Sequence, residues 1–231
     1  MKILSIDTSS KICAVAVLED TKLLKEISQD SGLTHSENLL PIIQNILSEL
    51  NLNLKNIDLI VCDKGPGSFT GIRIGVATSK GFSDSLNIPT IGITSLEALA
   101  YNVSQNGIIC SLIDAKKDNA YYGVFEKNNN EYISKTKFSA EHIDTILENL
   151  SKFNYNEHIT FVGDGAIIFK DIILNKFPNS KFIANNNLSA YNLGLAGFYK
   201  YTNNIQEDIL PLYLRKPQAE RMLEEKLKNE E

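Results

Sequence analysis

Apolar and polar residues alternate in short blocks through the first half of the chain. Lys2–Ile6 reads as a strand, closed by the polar turn Asp7-Thr8-Ser9-Ser10, and Ile12–Leu18 alternates as its hairpin partner. Lys22–Ser28 is the next strand. Thr34–Leu50 has helical spacing, with Thr34 and Glu37 at capping-box distance, and Pro41 predicts a kink or a late helix start. Asp58–Asp63 reads as a strand, Thr70–Leu86 as a helix, Pro89–Thr94 as a strand and Ser95–Ser104 as a helix. The second half begins again with strands, Gly107–Asp114, Ala120–Lys127 and Tyr132–Phe138. A helix over Ala140–Leu150, a strand over His158–Val162, and helices over Ile167–Leu174, Leu188–Tyr201 and Gln218–Lys228 follow.

Both halves therefore start with three antiparallel strands and continue with alternating helix and strand. That internal echo predicts a duplicated α/β architecture of β-β-β-α-β-α type with a cleft between its halves. The first lobe is expected over 1–104 and the second over 105–216. The helix at 188–201 is able to pack back on the first lobe, and 217–231 forms a terminal helix or tail. The join falls at the polar stretch "NVSQNG".

Composition narrows the function classes. Hydrophobic residues make up 43% of 231, enough for a real core, and no apolar run approaches the ~20 residues a bilayer span needs. The N-terminal stretch lacks the features of a signal peptide, which gives a cytoplasmic expectation. Cys13, Cys62 and Cys110 stand singly in apolar surroundings and read as buried hydrophobes. A net charge of −5 with no basic stripe argues against independent nucleic-acid binding.

The glycine-rich stretch "CDKGPGSFTGIRIG" carries the first chemical signal. Gly65, Gly67 and Ser68 lie between a strand and a helix whose unpaired N–H groups point into the loop, an arrangement that binds phosphate in many proteins. The lysine and hydroxyl of a P-loop are absent. A phosphate site and a plain strand-to-helix turn both fit. Arg73 opposes the helix dipole in the first turn and calls for an anionic neighbour or for solvent. In the actin, hexokinase and Hsp70 group of folds (ASKHA), a turn like Asp7-Thr8 faces the nucleotide phosphates. A stretch like Gly163-Asp164-Gly165 grips the adenosine there, and Asp114 mirrors Asp7 in the second half. These residues together favour that fold and form a candidate, weak or vestigial, nucleotide site.

His35, His142 and His158 are the only histidines, and none stands four residues from another, so no HxxxH metal pair and no metal site is expected. No catalytic nucleophile or base is identifiable. Two helices carry candidate interface residues. Leu39, Ile42, Ile43 and Ile46 belong to an over-wide apolar spread on the first. Gly71, Gly75 and Ser79 make a small-residue stripe on the second, with Arg73 beside it. Internal packing explains both features as well as a partner surface does.

The segments "MKILSIDTSSKICAVAV", "HSENLLPIIQNIL", "DLIVCDKGPGSFTGIRIGVATSKGF", "IPTIGITSLEALA" and "PLYLR" resemble the TsaB (formerly YeaZ) family, over residues 1 to about 230. The resemblance implies the two-lobed actin-like ATPase-domain fold. It also implies a degenerate paralogue of TsaD, the transferase that places a threonylcarbamoyl group on the adenosine 3′ of the anticodon in tRNA. TsaD holds a metal through an HxxxH pair that this chain lacks. The implied role is a non-catalytic subunit that binds and supports TsaD and helps recruit the ATPase TsaE. In that role tRNA is reached only through the complex, no cofactor is tightly bound, and an adenine nucleotide is at most weak or shared with a partner. A homodimer in isolation is a further expectation. The rivals are an independent ATPase or small-molecule kinase of the same fold, with Asp7 and Asp114 as its carboxylates, and a peptidase, which the histidine count disfavours.

Overall fold

The computed structural model describes residues 1–30, 34–152, 158–184 and 186–215. Its strands are β1 (Lys2–Asp7), β2 (Cys13–Glu19), β3 (Lys22–Gln29), β4 (Leu59–Asp63), β5 (Thr90–Ile93), β6 (Gly107–Lys116), β7 (Asn119–Asn128), β8 (Glu131–Ser134), β9 (Ser139–His142), β10 (Thr160–Val162) and β11 (Lys181–Phe182). Its helices are α1 (His35–Glu49), α2 (Phe69–Leu86), α3 (Ser95–Ala100), α4 (Ile143–Lys152), α5 (Asp164–Ile168), α6 (Lys170–Lys176) and α7 (Ala190–Thr202). The terminal helix expected from Gln218 lies outside the described residues.

Two sheets repeat one plan. The first runs β3-β2-β1-β4-β5 and the second β11-β10-β6-β7-β8, with β9 pairing beside β8 on β7. In each, the leading strand (β1 or β6) has an antiparallel hairpin neighbour on one side and a parallel strand on the other. That is the internal echo read from the sequence.

The first sheet is covered on both faces because its strands are apolar on both. Leu4 and Ile6 of β1 meet Leu39, Ile42, Ile43 and Ile46 of α1. The alternate residue Ile3, with Leu59 and Val61 of β4, meets Ala190, Leu193 and Ala196 of α7. The late helix α7 thus packs on the lobe at the chain's start, while β6, β7, β10 and β11 with α4, α5 and α6 make the second core. Close helix-on-sheet contact needs Gly197, where a Cβ would stand 2.3 Å from Val61 Cγ2.

Local chemistry sets the helix ends. Glu37 Oε2 accepts from Thr34 N at 2.9 Å and Thr34 Oγ1 at 2.7 Å, which fixes the start of α1. The helix continues through Pro41 without a break, so the expectation of a late start is corrected. The same box recurs at Thr94 and Glu97, opening α3. That helix ends at Ala100, short of the expected Ser104, and the following Tyr101 stacks on Tyr132 at 4.0 Å. The expected strand Tyr132–Phe138 is corrected to β8 followed by a turn and then β9. The long β7 pairs β8 along one half and β9 along the other, and Phe138 in the turn packs on Phe125 at 5.7 Å. The following helix therefore starts at Ile143 and not Ala140. The expected helix Ile167–Leu174 divides into α5 and α6 at the buried Phe169.

After α7 the chain returns as an extended strap over residues 205–215. Gly92 N, on β5, donates to Glu207 O at 2.9 Å, and Leu212 N donates to Lys64 O at 2.7 Å. Ile209 fills a gap between Cys62, Ile72 and Val76. Lys64 pairs with Glu207 at 2.6 Å, and Lys200 with Glu97 at 2.7 Å. Burial would raise the Glu207 carboxyl, but the Lys64 and Lys200 ammonium groups outweigh it and hold the group below the usual range. The strap ends with Arg215 donating to Ala115 O of the second lobe.

Candidate functional site

A cleft of about 1000 Å³ opens between the lobes. Ser9, Ser10, His35, Gly67 and Ser68 line it from the first lobe, and Asp114, Lys116, Asp164, Ile168 and Asn186 from the second. Four of the expected nucleotide residues, Gly67, Ser68, Asp114 and Asp164, therefore face one space. They arrive there on strand ends and the loops that follow, where open α/β sheets place ligands.

The other five do not reach it. Asp7 and Thr8 are 2% and 1% exposed, and Gly65, Gly163 and Gly165 are buried. Thr8 Oγ1 donates to Gly71 O at 2.7 Å, so its hydroxyl ties the turn to α2. Gly65 takes φ +97°, a left-handed-side conformation suited to glycine, and presents its N–H to Asp63 Oδ1 at 2.6 Å. Gly163, at φ +104°, lies against Leu112, and a Cβ there would meet Leu112 O at 2.1 Å. Its N–H goes to Asn186 Oδ1 at 2.9 Å.

The glycine loop is filled by the chain itself. Ser68 N donates to Ser9 O at 2.7 Å, the position a phosphate oxygen takes in a loop of this kind. A Cβ on Gly67 would stand 2.2 Å from that same carbonyl. The glycines are there so that the turn after β1 can lie directly on the loop. Ser68 Oγ accepts from Gly71 N at 3.2 Å and caps the helix. Arg73 is turned to the strap. Its Nε donates to Tyr213 Oη at 2.7 Å and its guanidinium lies over the Tyr213 ring, which stacks on Phe69 at 4.7 Å. Among the described residues its partner is a strap tyrosine and not an anion.

The residues expected at a partner surface are mostly interior. Leu39, Ile42, Ile43 and Ile46 are at most 5% exposed and fill the first core. A Cβ on Gly71 would stand 1.9 Å from Thr8 O, and on Gly75 2.5 Å from Thr8 Oγ1. Ser79 is fully buried. The small stripe lets α2 lie on the turn after β1, which corrects its assignment to a partner. Arg73 alone of the eight is exposed.

One polar group at the base of the site escaped the sequence. Asp63, at the end of β4, is buried beside Asp7, and Ser9 Oγ lies 2.7 Å from Asp7 Oδ1 and 3.0 Å from Asp63 Oδ2. Ser95 Oγ donates to Asp63 Oδ1 at 2.8 Å. Burial raises both carboxyls. The nearby Asp7 charge raises Asp63 further, while hydrogen bonds from Ser9 temper the rise at Asp7. Nothing in the spacing of residues 7 and 63 signals this contact; only the parallel pairing of β1 and β4 creates it.

Against this geometry stand the likenesses to known proteins. A family model described as TsaD, tRNA N6-adenosine threonylcarbamoyltransferase, matches residues 27–224. A Buchnera aphidicola (subsp. Acyrthosiphon pisum) protein named tRNA threonylcarbamoyladenosine biosynthesis protein TsaB is 31% identical over 193 residues, 79% of this chain and 84% of that one. The chain belongs to the TsaB family. The Bacillus subtilis TsaB is 29% identical over 224 residues, 95% of this chain and 96% of its own. A Pseudomonas aeruginosa crystal structure, described as similar to peptidase YeaZ, superposes with a TM-score of 0.76 at 23% identity, covering 93% of this chain and 99% of that one. A ROK hexokinase from Thermus thermophilus superposes at 0.51 with 10% identity, covering 88% and 100%. The fold is the actin-like ATPase-domain fold that these proteins share.

The TsaD metal pair does not fit this member of the TsaB family. The residue four after His35 is Leu39, a core side chain, and His35 Nε2 is hydrogen-bonded to Ser10 O at 2.7 Å.

Proposed function

We propose that this chain acts in tRNA threonylcarbamoyladenosine biosynthesis as a non-catalytic subunit that binds and supports the TsaD transferase and helps recruit TsaE. The observation that carries this reading is the self-filled loop. Ser9 O occupies the loop's donor at Ser68 N, and Thr8 Oγ1 is committed to α2. A chain that has spent its phosphate-binding groups on its own turn is suited to a scaffold and poorly suited to a kinase. Any adenine nucleotide in the cleft is then weakly held or shared with TsaD. The docking face we assign is the solvent side of α1 and α2, which lie together on one face of the first sheet. Leu40, 54% exposed on α1, is its apolar anchor, and α2 contributes Arg73, which is bonded to Tyr213. The same face serves a homodimer when TsaD is absent.

Co-purification with the TsaD of the same cell tests the reading. Capture is expected from the wild type and is expected to be lost in a folded Leu40→Asp protein. Titration with ATP, followed by calorimetry, is expected to give no tight binding. Failure to capture TsaD together with tight ATP binding and turnover would replace the scaffold with an independent ATPase or kinase.

A further inference from the structure

The buried pair at the base of the cleft can be read by counting hydrogens. Ser9 Oγ is within hydrogen-bond distance of Asp7 Oδ1, at 2.7 Å, and Asp63 Oδ2, at 3.0 Å. A hydroxyl has one proton to donate. If Ser9 donates to one carboxyl, it must accept from the other, and that other must carry a proton. Asp7 Oδ1 also accepts Ser9 N at 2.8 Å, which suits a charged oxygen receiving two donors. Asp63 Oδ1 receives two donors of its own, Gly65 N at 2.6 Å and Ser95 Oγ at 2.8 Å. That leaves Asp63 Oδ2 as the oxygen that carries the hydrogen and gives it to Ser9. The chain of donors then runs in one direction, from Asp63 through Ser9 to Asp7, and the Asp63 carboxyl also lies within hydrogen-bonding contact of Asp7 itself.

We propose that Asp63 is a structural proton site, its carboxyl protonated on Oδ2 at neutral pH, and that loss of this proton unlocks the turn and the glycine loop that floor the cleft.

The two carboxyls are almost wholly buried, so two full charges side by side are strongly disfavoured. The titratable groups that face them are His35 of α1, Cys13 of β2 and Cys62 of β4. Burial first, and then the carboxylate charge, pushes the Cys13 thiol up to about 11 and the Cys62 thiol up to about 12, so both stay neutral. Among the described residues His35 is the basic group that faces them, with its Nε2 hydrogen-bonded to Ser10 O. The proton on Asp63 is what allows Gly65 and Ser95 to be held on one oxygen while the other reaches Ser9. Through Ser95 the tie extends to the N-terminus of α3, and Ser95 N in turn donates to Gly65 O at 3.0 Å. Once the proton leaves, Ser9 faces two carboxylates with one hydrogen, and the turn and loop separate.

The sign of the pH dependence follows. The unfolded chain releases the Asp63 proton near roughly 3.9, while the folded chain keeps it. Stability from this group is complete below that value and falls as pH rises toward the folded-state value, about tenfold in the unfolding constant per pH unit. The test is infrared difference spectroscopy on the full-length chain, wild type against Asp63→Asn, through a pH series from neutral to alkaline. A protonated-carboxyl band is expected in the wild type at neutral pH. It should be missing in Asp63→Asn, retained in the surface variant Asp84→Asn, and should fade as pH rises. In parallel, between the unfolded value of roughly 3.9 and the pH at which the band fades, the unfolding constant of the wild type should climb with pH about one proton more steeply than that of Asp63→Asn. Absence of the band in the wild type, its survival in Asp63→Asn, or equal slopes would each overturn the proposal. If Asp63→Asn does not fold, the wild-type band and its loss at alkaline pH decide the matter alone.

Discussion

Replacing glycine by alanine at two positions on α2 should move stability in opposite directions. At Gly71 the new Cβ would stand 1.9 Å from Thr8 O and 3.0 Å from His35 Cδ2. The carbonyl cannot step aside, because Thr8 Oγ1 is bonded to Gly71 O and Thr8 continues from the paired strand β1. The methyl must lift the helix off the turn, an overpacking cost of roughly 1–3 kcal/mol, at the upper end when backbone meets backbone. Alanine recovers roughly 0.8–1.0 kcal/mol of helix propensity, leaving a net loss of about 2 kcal/mol. At Gly81 nothing lies within 4 Å of where a Cβ would stand, so only the propensity gain remains. For a chain of this length 1 kcal/mol moves Tm by about 2–4 °C. Thermal melts should therefore place Gly71→Ala about 4–8 °C below wild type and Gly81→Ala about 2–4 °C above it. A Gly71→Ala protein that melts at or above wild type would refute the seating of the turn on the loop, and with it the explanation for the glycines.

Three further outcomes are expected. Ile209→Ala empties the gap between Cys62, Ile72 and Val76, at a cost of roughly 2–5 kcal/mol; hydrogen exchange should speed up at the amides of Gly92 and Leu212, which the strap protects. Glu207→Gln removes a carboxyl held below its usual range, so stability that the wild type has above the unfolded value and loses as pH falls through the folded value should be missing in the variant; identical acid limbs in denaturation curves would contradict the Lys64–Glu207–Lys200 arrangement. Cys13, Cys62 and Cys110 are buried free thiols that burial pushes up, so an aromatic disulfide reagent should find no fast-reacting thiol in the native protein and three in denaturant.

The first lobe was legible because its signals are local. Strands such as Leu59–Asp63 are short apolar runs, and the Thr34–Glu37 and Thr94–Glu97 boxes mark helix starts in plain view. In the second lobe, Ser139–His142 has no apolar alternation at all and is a strand only because β7 is long enough to pair it. The division at Phe169 likewise depends on that ring being drawn into the core. At the site, turn and loop residues were found by type, but which of them face the cleft was not. A phosphate loop and a loop filled by the chain's own turn use the same glycines for the same reason, close backbone approach. Arg73 and Tyr213 lie 140 residues apart, and Asp7 and Asp63 are joined only by strand pairing, so both contacts lie beyond any local pattern.

The return of α7 and the strap to the first lobe has a consequence for synthesis. Translation delivers β1–β5, α1, α2 and α3 first, yet much of one face of that sheet stays bare until Ala190, Leu193 and Ala196 have left the ribosome. The gap behind α2 waits longer still, for Ile209. The second sheet closes one face with residues 108–182 and packs the other on Leu96, Leu99, Ala100 and Val103, which are made earlier, so most of its core can form while the first remains open. The lobe made first is therefore completed last, and a nascent chain arrested before about residue 190 should present the apolar β1–β4 face to a chaperone.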